Sequence, residues 1–162
     1  MSVATPRGTP HATRLFGGAS LALHDWRCAG HDAPVARDEH TSAFDVVVVR
    51  RGAFELDVAG RRQLLVAGQV WFARPGEPYR IRHPVPGGDH CTILRLSAAT
   101  EQQLLEHAGT DPDELAARSG ACVAPLGGRE ALLHQLAWRE AWRAAHGGAD
   151  ALAVEELSLI HI

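Results

Sequence analysis

The sequence predicts a mainly β fold, an antiparallel β-barrel of the jelly-roll type followed by C-terminal helices. Two observations predict it. Between residues 15 and 96 apolar and polar residues alternate in short runs, and Gly and Pro turns separate these runs. After residue 96 the apolar residues instead recur at helical spacing. Short strands joined by tight turns favour a sandwich or barrel over a β-α-β arrangement.

The first part of the chain carries the weaker strand signals. Residues 14–26 contain two of them, and the alternation of Leu21 and Leu23 is the clearer one. The polar stretch 29–42 contains Gly and Pro and is predicted to be a loop.

The middle of the chain predicts a buried strand and a hairpin. Residues 44–50, FDVVVVR, form a β-branched run typical of a central strand, and Arg51 and Gly52 are predicted to turn it. Apolar residues alternate with acidic ones over 54–58, and a Gly-Arg hairpin leads to a returning strand at 63–66.

Turn residues are densest between residues 68 and 91. Alternation over 70–72 predicts a strand that the Pro-Gly pair at 75–76 ends. A second strand is predicted over 79–83, and the Pro- and Gly-rich segment 84–88 turns the chain into a third, CTILRLS. Three short strands joined by two tight turns are typical of an antiparallel barrel.

The last third of the chain predicts helices. Thr100 and Gln103 form a capping-box pattern, and a second start signal lies at 111–114. Residues 119–126 are predicted to be extended, residues 128–146 helical, and Asp150 is predicted to cap a last helix. We therefore divide the chain into a barrel, residues 1–97, and a helical linker or dimerisation segment, residues 98–162.

Composition excludes several classes of protein. The chain has 162 residues, 46% of them hydrophobic, which is enough for one domain with a core. A net charge of -3 argues against nucleic-acid binding by this piece, and no apolar run is long enough for a membrane span. Three Cys residues do not form a disulfide framework, which indicates a reducing cytoplasm.

Three segments together resemble a known family. RRGAFEL at 50–56, GQVWFARPGEPYRIRHP at 68–84 and GGDHCTILRLS at 87–97, followed by helices, are similar to the N-terminal sensor domain of AraC-type transcription regulators. The resemblance covers residues 25–157. It implies a cupin-like antiparallel β-barrel that binds a small-molecule effector, a homodimer formed through the C-terminal helices, and cytoplasmic location.

In that family a C-terminal helix-turn-helix pair binds DNA, and no such pair follows the last helical pattern here. No DNA contact is therefore assigned to this sequence. The last helical pattern has no C-cap, which predicts a fragment truncated before a DNA-binding domain, or non-native residues from Ser158 to Ile162.

Most of the metal-binding set of catalytic cupins is missing. That pattern needs an HxH pair, a Glu shortly after it and a later His beyond PxG, which together hold a metal with open positions. Here Ser42 follows His40 where the second His belongs, Asp45 is the acidic residue nearby, and Tyr79 replaces the later His. We expect a binding domain and no enzyme; the alternatives are a stand-alone metal-dependent cupin enzyme and a dimerisation module without ligand.

Aromatic barrel residues are the candidates for effector binding. Phe54, Trp71 and Tyr79, with Arg82, are predicted to line a small-molecule pocket; as barrel residues they are equally consistent with plain core.

A second set of residues predicts a structural zinc site. Two thiols and two imidazoles are sufficient for closed tetrahedral coordination, and a turn would bring two of them together. The predicted ligands are Cys28, His40, His83 and Cys91, with His31 and His90 as substitutes. The alternative is that the thiols are small buried hydrophobic groups and the imidazoles lie on the surface.

Overall fold

A computed structural model describes residues 10–30, 38–109, 111, 122–148 and 151–161. The described residues form eight strands and three helices. In chain order they are β1 His11–Gly17, β2 Leu21–Cys28, β3 Asp45–Val58, β4 Arg61–Val66, β5 Gln69–Ala73, β6 Tyr79–Arg82, β7 Asp89–Leu96, α1 Ala98–His107, β8 Cys122–Pro125, α2 Gly128–Ala145 and α3 Ala151–His161.

The strands form a larger and a smaller antiparallel layer that share β3. The larger layer has the order β1-β2-β7-β3-β5-β8. The second half of β3 leaves it and pairs with β4 and with β6. The predicted mainly β antiparallel fold, with helices mostly towards the C-terminus, is confirmed.

β3 passes from one layer to the other at a bulge, and the predicted turn at Arg51 and Gly52 is wrong. The register with β7 shifts between Val49 and Arg51, which moves the inward-facing positions from odd to even numbers. Gly52 has φ 78°, and a Cβ there would lie 2.0 Å from the carbonyl oxygen of Gly88. The Arg-Gly pair bends the strand without reversing it because glycine tolerates both the dihedral and the close approach.

Two apolar cores lie on opposite faces of the larger layer. The inner core, between the two layers, contains Val47, Val49, Phe54, Leu56, Trp71 and Cys91. The outer core contains Val46, Val48, Leu94 and Leu96, together with Ala141 of α2 and Val154 of α3. Both faces of β3 are therefore covered, which explains why the DVVVV run is buried throughout despite its antiparallel neighbours.

The start of α1 differs from its prediction. Ser97 is the N-cap, and its Oγ accepts a hydrogen bond from the backbone N–H of Thr100 at 3.2 Å. Thr100 is buried, and its hydroxyl donates to the Ser20 carbonyl at 2.9 Å. The predicted capping box at Thr100 and Gln103 is therefore wrong by one turn, because tertiary contact with Ser20 takes up the Thr100 hydroxyl.

The rest of the helical segment agrees with the sequence. The extended stretch contains β8, which pairs with β5, and α2 lies within the predicted helical range. The start signal at 111–114 and the cap at Asp150 extend outside the described residues. The domain division after residue 97 stays a prediction. Among the described residues no helix is both long and apolar enough to cross a membrane.

Candidate ligand cavity and metal-binding cluster

A cavity of about 190 Å³ lies inside the barrel. Phe54, Trp71 and Tyr79, three of the four predicted effector-binding residues, line it. Tyr79 meets Trp71 edge-on, with ring centroids 4.8 Å apart. The fourth, Arg82, is exposed outside this lining and lies 3.9 Å from Glu55.

β7 runs along the whole cavity. Its alternate residues Asp89, Cys91, Ile93 and Arg95 all line the cavity, as the period of two requires. The strand therefore places polar groups at the two ends of the cavity and apolar groups between them. We call these the cysteine end, formed by Cys28, His83, Asp89 and Cys91, and the arginine end, formed by Thr41, Asp45, Arg95, Glu39 and Tyr79.

Potential metal ligands converge at the cysteine end. Among the described residues, one donor atom each of Cys28, His83 and Asp89 lie within 4.8 Å of one another. Cys28 is directly opposite Asp89 in the register of β2 with β7. His83 Nε2 is 2.5 Å from Asp89 Oδ1, and the Cys91 thiol donates to Asp89 Oδ2 at 3.1 Å. Three separate chain segments thus meet at one buried carboxylate.

Hydrogen bonds hold this cluster together. The hydrogen bond that His83 makes with Asp89, and then the one with Cys28, raise the pKa of His83 to about 9, so the imidazole is charged at neutral pH. Burial, and then the negative charge of Asp89, raise the pKa of the Cys91 thiol. A metal ion would therefore have to displace protons from both the His83 imidazole and the Cys91 thiol.

Three of the four predicted zinc ligands lie near one another in the structure, and the Asp89 carboxylate lies among them. Cys28 and His83 belong to the converging set, and Cys91 is attached to it through Asp89. His40 is exposed and does not belong to that set. His90, one of the substitutes, lies between Asp89 and Cys91 on β7 and points to the opposite face. His31, the other substitute, lies outside the described residues.

Sequence reasoning missed Asp89. The sequence predicts a turn over 84–88 and a strand that begins at Cys91, but Asp89 is already the first residue of β7. The signal that identifies it is its spacing: Asp89 and Cys91 are two residues apart and so share a face.

An ion pair fills the arginine end. Arg95 donates through Nε and Nη2 to the two oxygens of Asp45, at 2.8 and 2.7 Å. Thr41 donates to the same carboxylate at 2.7 Å. Burial, and then the charge of Glu39, raise the pKa of Tyr79 to about 12, so its phenol stays protonated. Asp45, the acidic residue nearest to the catalytic cupin pattern, is thus occupied by Arg95 and Thr41.

One polar atom of the cavity wall has no acceptor. Trp71 is 3% exposed, and its indole Nε1 is buried with no hydrogen-bond partner in the described structure. Buried indole N–H groups are normally hydrogen-bonded. A molecule in the cavity that carries an acceptor would satisfy it.

Several solved structures are similar to this chain. No protein-family model matches the chain, and no curated protein matches it in sequence. The cupin domain of Schizosaccharomyces pombe Cnp3 is 14% identical, over 63% of this chain and 72% of that one, with a TM-score of 0.49. A Cupin 2 conserved barrel protein from Salinispora arenicola is 20% identical, over 60% and 84%, with a TM-score of 0.47.

The Clostridium difficile EutQ protein is a third likeness. It is 15% identical, over 55% of this chain and 68% of that one, with a TM-score of 0.46. The chain is thus similar to cupin barrels in outline. At these scores the likeness carries no argument about ligand, metal or activity, which rest on the residues of this chain.

Proposed function

We propose that this chain is the effector-binding domain of an AraC-type transcription regulator and acts by binding, without catalysis. The observation that carries the proposal is the barrel cavity, whose lining includes several aromatic side chains, among them Trp71 with its unpartnered indole N–H. Concave, largely apolar cavities with a few placed polar groups are typical of small-molecule sites.

The cavity favours a small and largely apolar effector. Its volume of about 190 Å³ is below the roughly 300–1,000 Å³ typical of drug-sized ligands. The charges at the two ends are matched within the protein, Arg95 with Asp45 and His83 with Asp89. An uncharged effector with an acceptor for Trp71 therefore fits better than a charged effector.

The helical layer offers a way to transmit binding. Arg50 donates to the backbone carbonyl of Cys91, whose side chain lines the cavity, and its guanidinium lies 4.8 Å from the ring centroid of Trp138 on α2. A shift of β7 on effector binding would change the packing of α2. The exposed apolar residues Leu132, Trp142 and Leu152 on α2 and α3 support a homodimer through these helices.

The proposal includes a zinc ion at the cysteine end. Zinc is commonly bound by Cys, His and Asp in four-coordinate sites, and Cys28, His83, Asp89 and Cys91 supply that donor set. The separations of up to 4.8 Å between three donors exceed the tetrahedral edge of roughly 3–4 Å that Zn–S and Zn–N bonds imply, so a contraction of about 1 Å is required. The ion would fasten β2, the segment after β6 and the start of β7.

The alternative, a stand-alone cupin enzyme, has less support. The carboxylate nearest to the catalytic pattern, Asp45, is held by Arg95 and Thr41. The donors that do converge lie at the cysteine end and are Cys28, His83 and Asp89.

A ligand screen tests the proposal. We expect uncharged small metabolites to include at least one that raises the melting temperature and binds one per chain by calorimetry. Trp71→Phe, which removes the N–H with the fused five-membered ring and keeps one aromatic ring, should weaken that binding by about tenfold. Turnover of a metabolite with added iron or manganese, lost in His40→Ala, would overturn the binding-domain proposal.

A further inference from the structure

A second cavity, of about 400 Å³, lies on the outer face of the larger layer, between β3 and α2. Val48, Arg50, Leu126, His134, Trp138 and Arg139 are among the residues that line it. We propose that this outer cavity binds a small carboxylate with an apolar body, independently of the effector in the barrel.

Two buried donors on the walls of this cavity lack acceptors. The Nη2 atom of Arg50 donates to Asp25 and to the Cys91 carbonyl, but its Nε is buried without a hydrogen-bond partner in the described structure. The indole Nε1 of Trp138 is also buried without a hydrogen-bond partner in the described structure. The two side chains are in contact, with the guanidinium carbon 4.8 Å from the Trp138 ring centroid. Buried N–H groups are rarely left without acceptors, so a group bound here must supply them.

The charges around the outer cavity favour an anion. Arg50 and Arg139 both line it, and its lining as described contains no carboxylate. Each of these two arginines has a carboxylate partner outside the lining that it shares with another arginine. Asp25 binds Arg50 and also Arg27, at 2.9 Å. Glu140 lies 3.7 Å from Arg139 and binds Arg143 at 2.8 Å. Each group of two arginines and one carboxylate therefore keeps a net positive charge beside the cavity. A carboxylate would accept charge-assisted hydrogen bonds, which are stronger than those to neutral acceptors.

The apolar side chains that line the outer cavity favour an apolar body for the ligand. Val48, Leu126 and Ala131 present apolar surface to the same space. A compact apolar body attached to one carboxylate would cover these side chains while its oxygens meet Arg50 and Trp138. Inorganic phosphate offers no such body, and ordered water offers neither the charge nor the apolar surface.

The two cavities can be tested separately because each has its own tryptophan. We expect benzoate to bind the full chain one to one by calorimetry and to change the tryptophan fluorescence. Benzamide, which has the same shape without the charge, should bind at least tenfold more weakly, as should inorganic phosphate. Trp138→Phe removes the donor together with the fused five-membered ring but keeps an aromatic ring, and it should weaken benzoate binding by about tenfold.

Two variants serve as matched controls. Trp142→Phe changes a 38% exposed ring that stacks on Trp138, and Trp71→Phe removes the donor of the barrel cavity; both should leave benzoate affinity unchanged. Absence of saturable benzoate binding, or equal affinities in wild type and Trp138→Phe, would overturn the proposal. Loss of binding in Trp71→Phe would place benzoate in the barrel and would also overturn it.

Discussion

The two faces of the larger layer carry two cavities of different electrostatic character. In the barrel cavity two charge pairs, Arg95 with Asp45 and His83 with Asp89, have both partners in the lining. In the outer cavity Arg50 and Arg139 line the wall without a carboxylate among the described lining residues. β3 contributes to both cavities, with Asp45 in one lining and Arg50 in the other, since alternate residues of a strand point to opposite faces. Neighbouring residues on a strand can therefore serve unrelated ligands.

The largest expected effect is at a glycine that packs against the backbone of Cys28, a residue of the cysteine end. Gly88 has φ 64°, and a Cβ there would lie 1.9 Å from the Cys28 carbonyl oxygen. We expect Gly88→Ala to lower the free energy of unfolding by on the order of 3 kcal/mol, because backbone atoms must move apart. Chemical denaturation measures this change.

Gly87 provides the matched control. It also has a positive φ, 106°, but a Cβ there would meet nothing within 4 Å. Gly87→Ala should therefore cost only about 1 kcal/mol of backbone strain. Equal losses in the two variants would show that the close approach of Gly88 to Cys28 is not what matters.

The next largest effect concerns zinc, which should bind at the cysteine end of the barrel cavity and not in the outer cavity. Purified protein should contain one zinc per chain by elemental analysis, and Cys28→Ser or Asp89→Asn should lose it. A chelator should lower the melting temperature of wild type but not of these variants, because bound metal stabilises the folded state. His40→Ala, a change at an exposed position, should keep its zinc. Metal-free wild-type protein, prepared without chelator, would contradict the assignment.

Ion pairs inside and outside the cavity should differ in strength. Arg95→Gln leaves Asp45, whose side chain is 7% exposed, without its charged partner, and should cost roughly 1–3 kcal/mol of unfolding free energy. Arg62→Gln removes a partner of Asp57 from a surface pair in which Arg62 is 57% exposed, and should cost less than about 1 kcal/mol. A double-mutant cycle of each pair measures the coupling; similar values for both would remove the distinction.

The smallest effect is the pH dependence contributed by His24. Burial, and then the charges of Arg95 and Arg14, lower its pKa below the ordinary 6.5, while Asp45 acts in the opposite direction. Below pH 6.5 the unfolded chain binds this proton more readily than the folded one. The His24 contribution is therefore complete above pH 6.5 and is lost as the pH falls through the folded-state pKa. His24→Asn should reduce the loss of stability between pH 7.5 and 5; an unchanged loss would contradict this.

The sequence predicts the fold better than the sites. Alternation and turn residues predict strands from local information, and β2, β5, β6 and β7 lie where these signals occur. The bulge of β3 was not predicted, because an Arg-Gly pair is typical of a turn and only the contact of Gly52 with Gly88 distinguishes the two. Such a contact between distant residues has no local signature.

The two cavities also differ in how far the sequence predicts them, because local patterns do not record contacts between distant residues. Cys28, His83 and Cys91 were predicted to be neighbours because residue type and a hairpin turn indicate a cluster, whereas Asp89 was hidden by its place beside two glycines. The outer cavity was not predicted at all. It depends on how α2 lies over Arg50, a packing arrangement that neither segment encodes alone.

The sharing of β3 between the two layers has a consequence for folding. Residues 45–48 pair with β5 in one layer and residues 53–58 pair with β4 in the other. Neither layer can separate from the barrel without breaking hydrogen bonds of this one strand, so the layers are not independent units. The barrel should lose its structure in one cooperative step, and the backbone amides of Val46 to Val48 should be among the last to exchange with solvent deuterium.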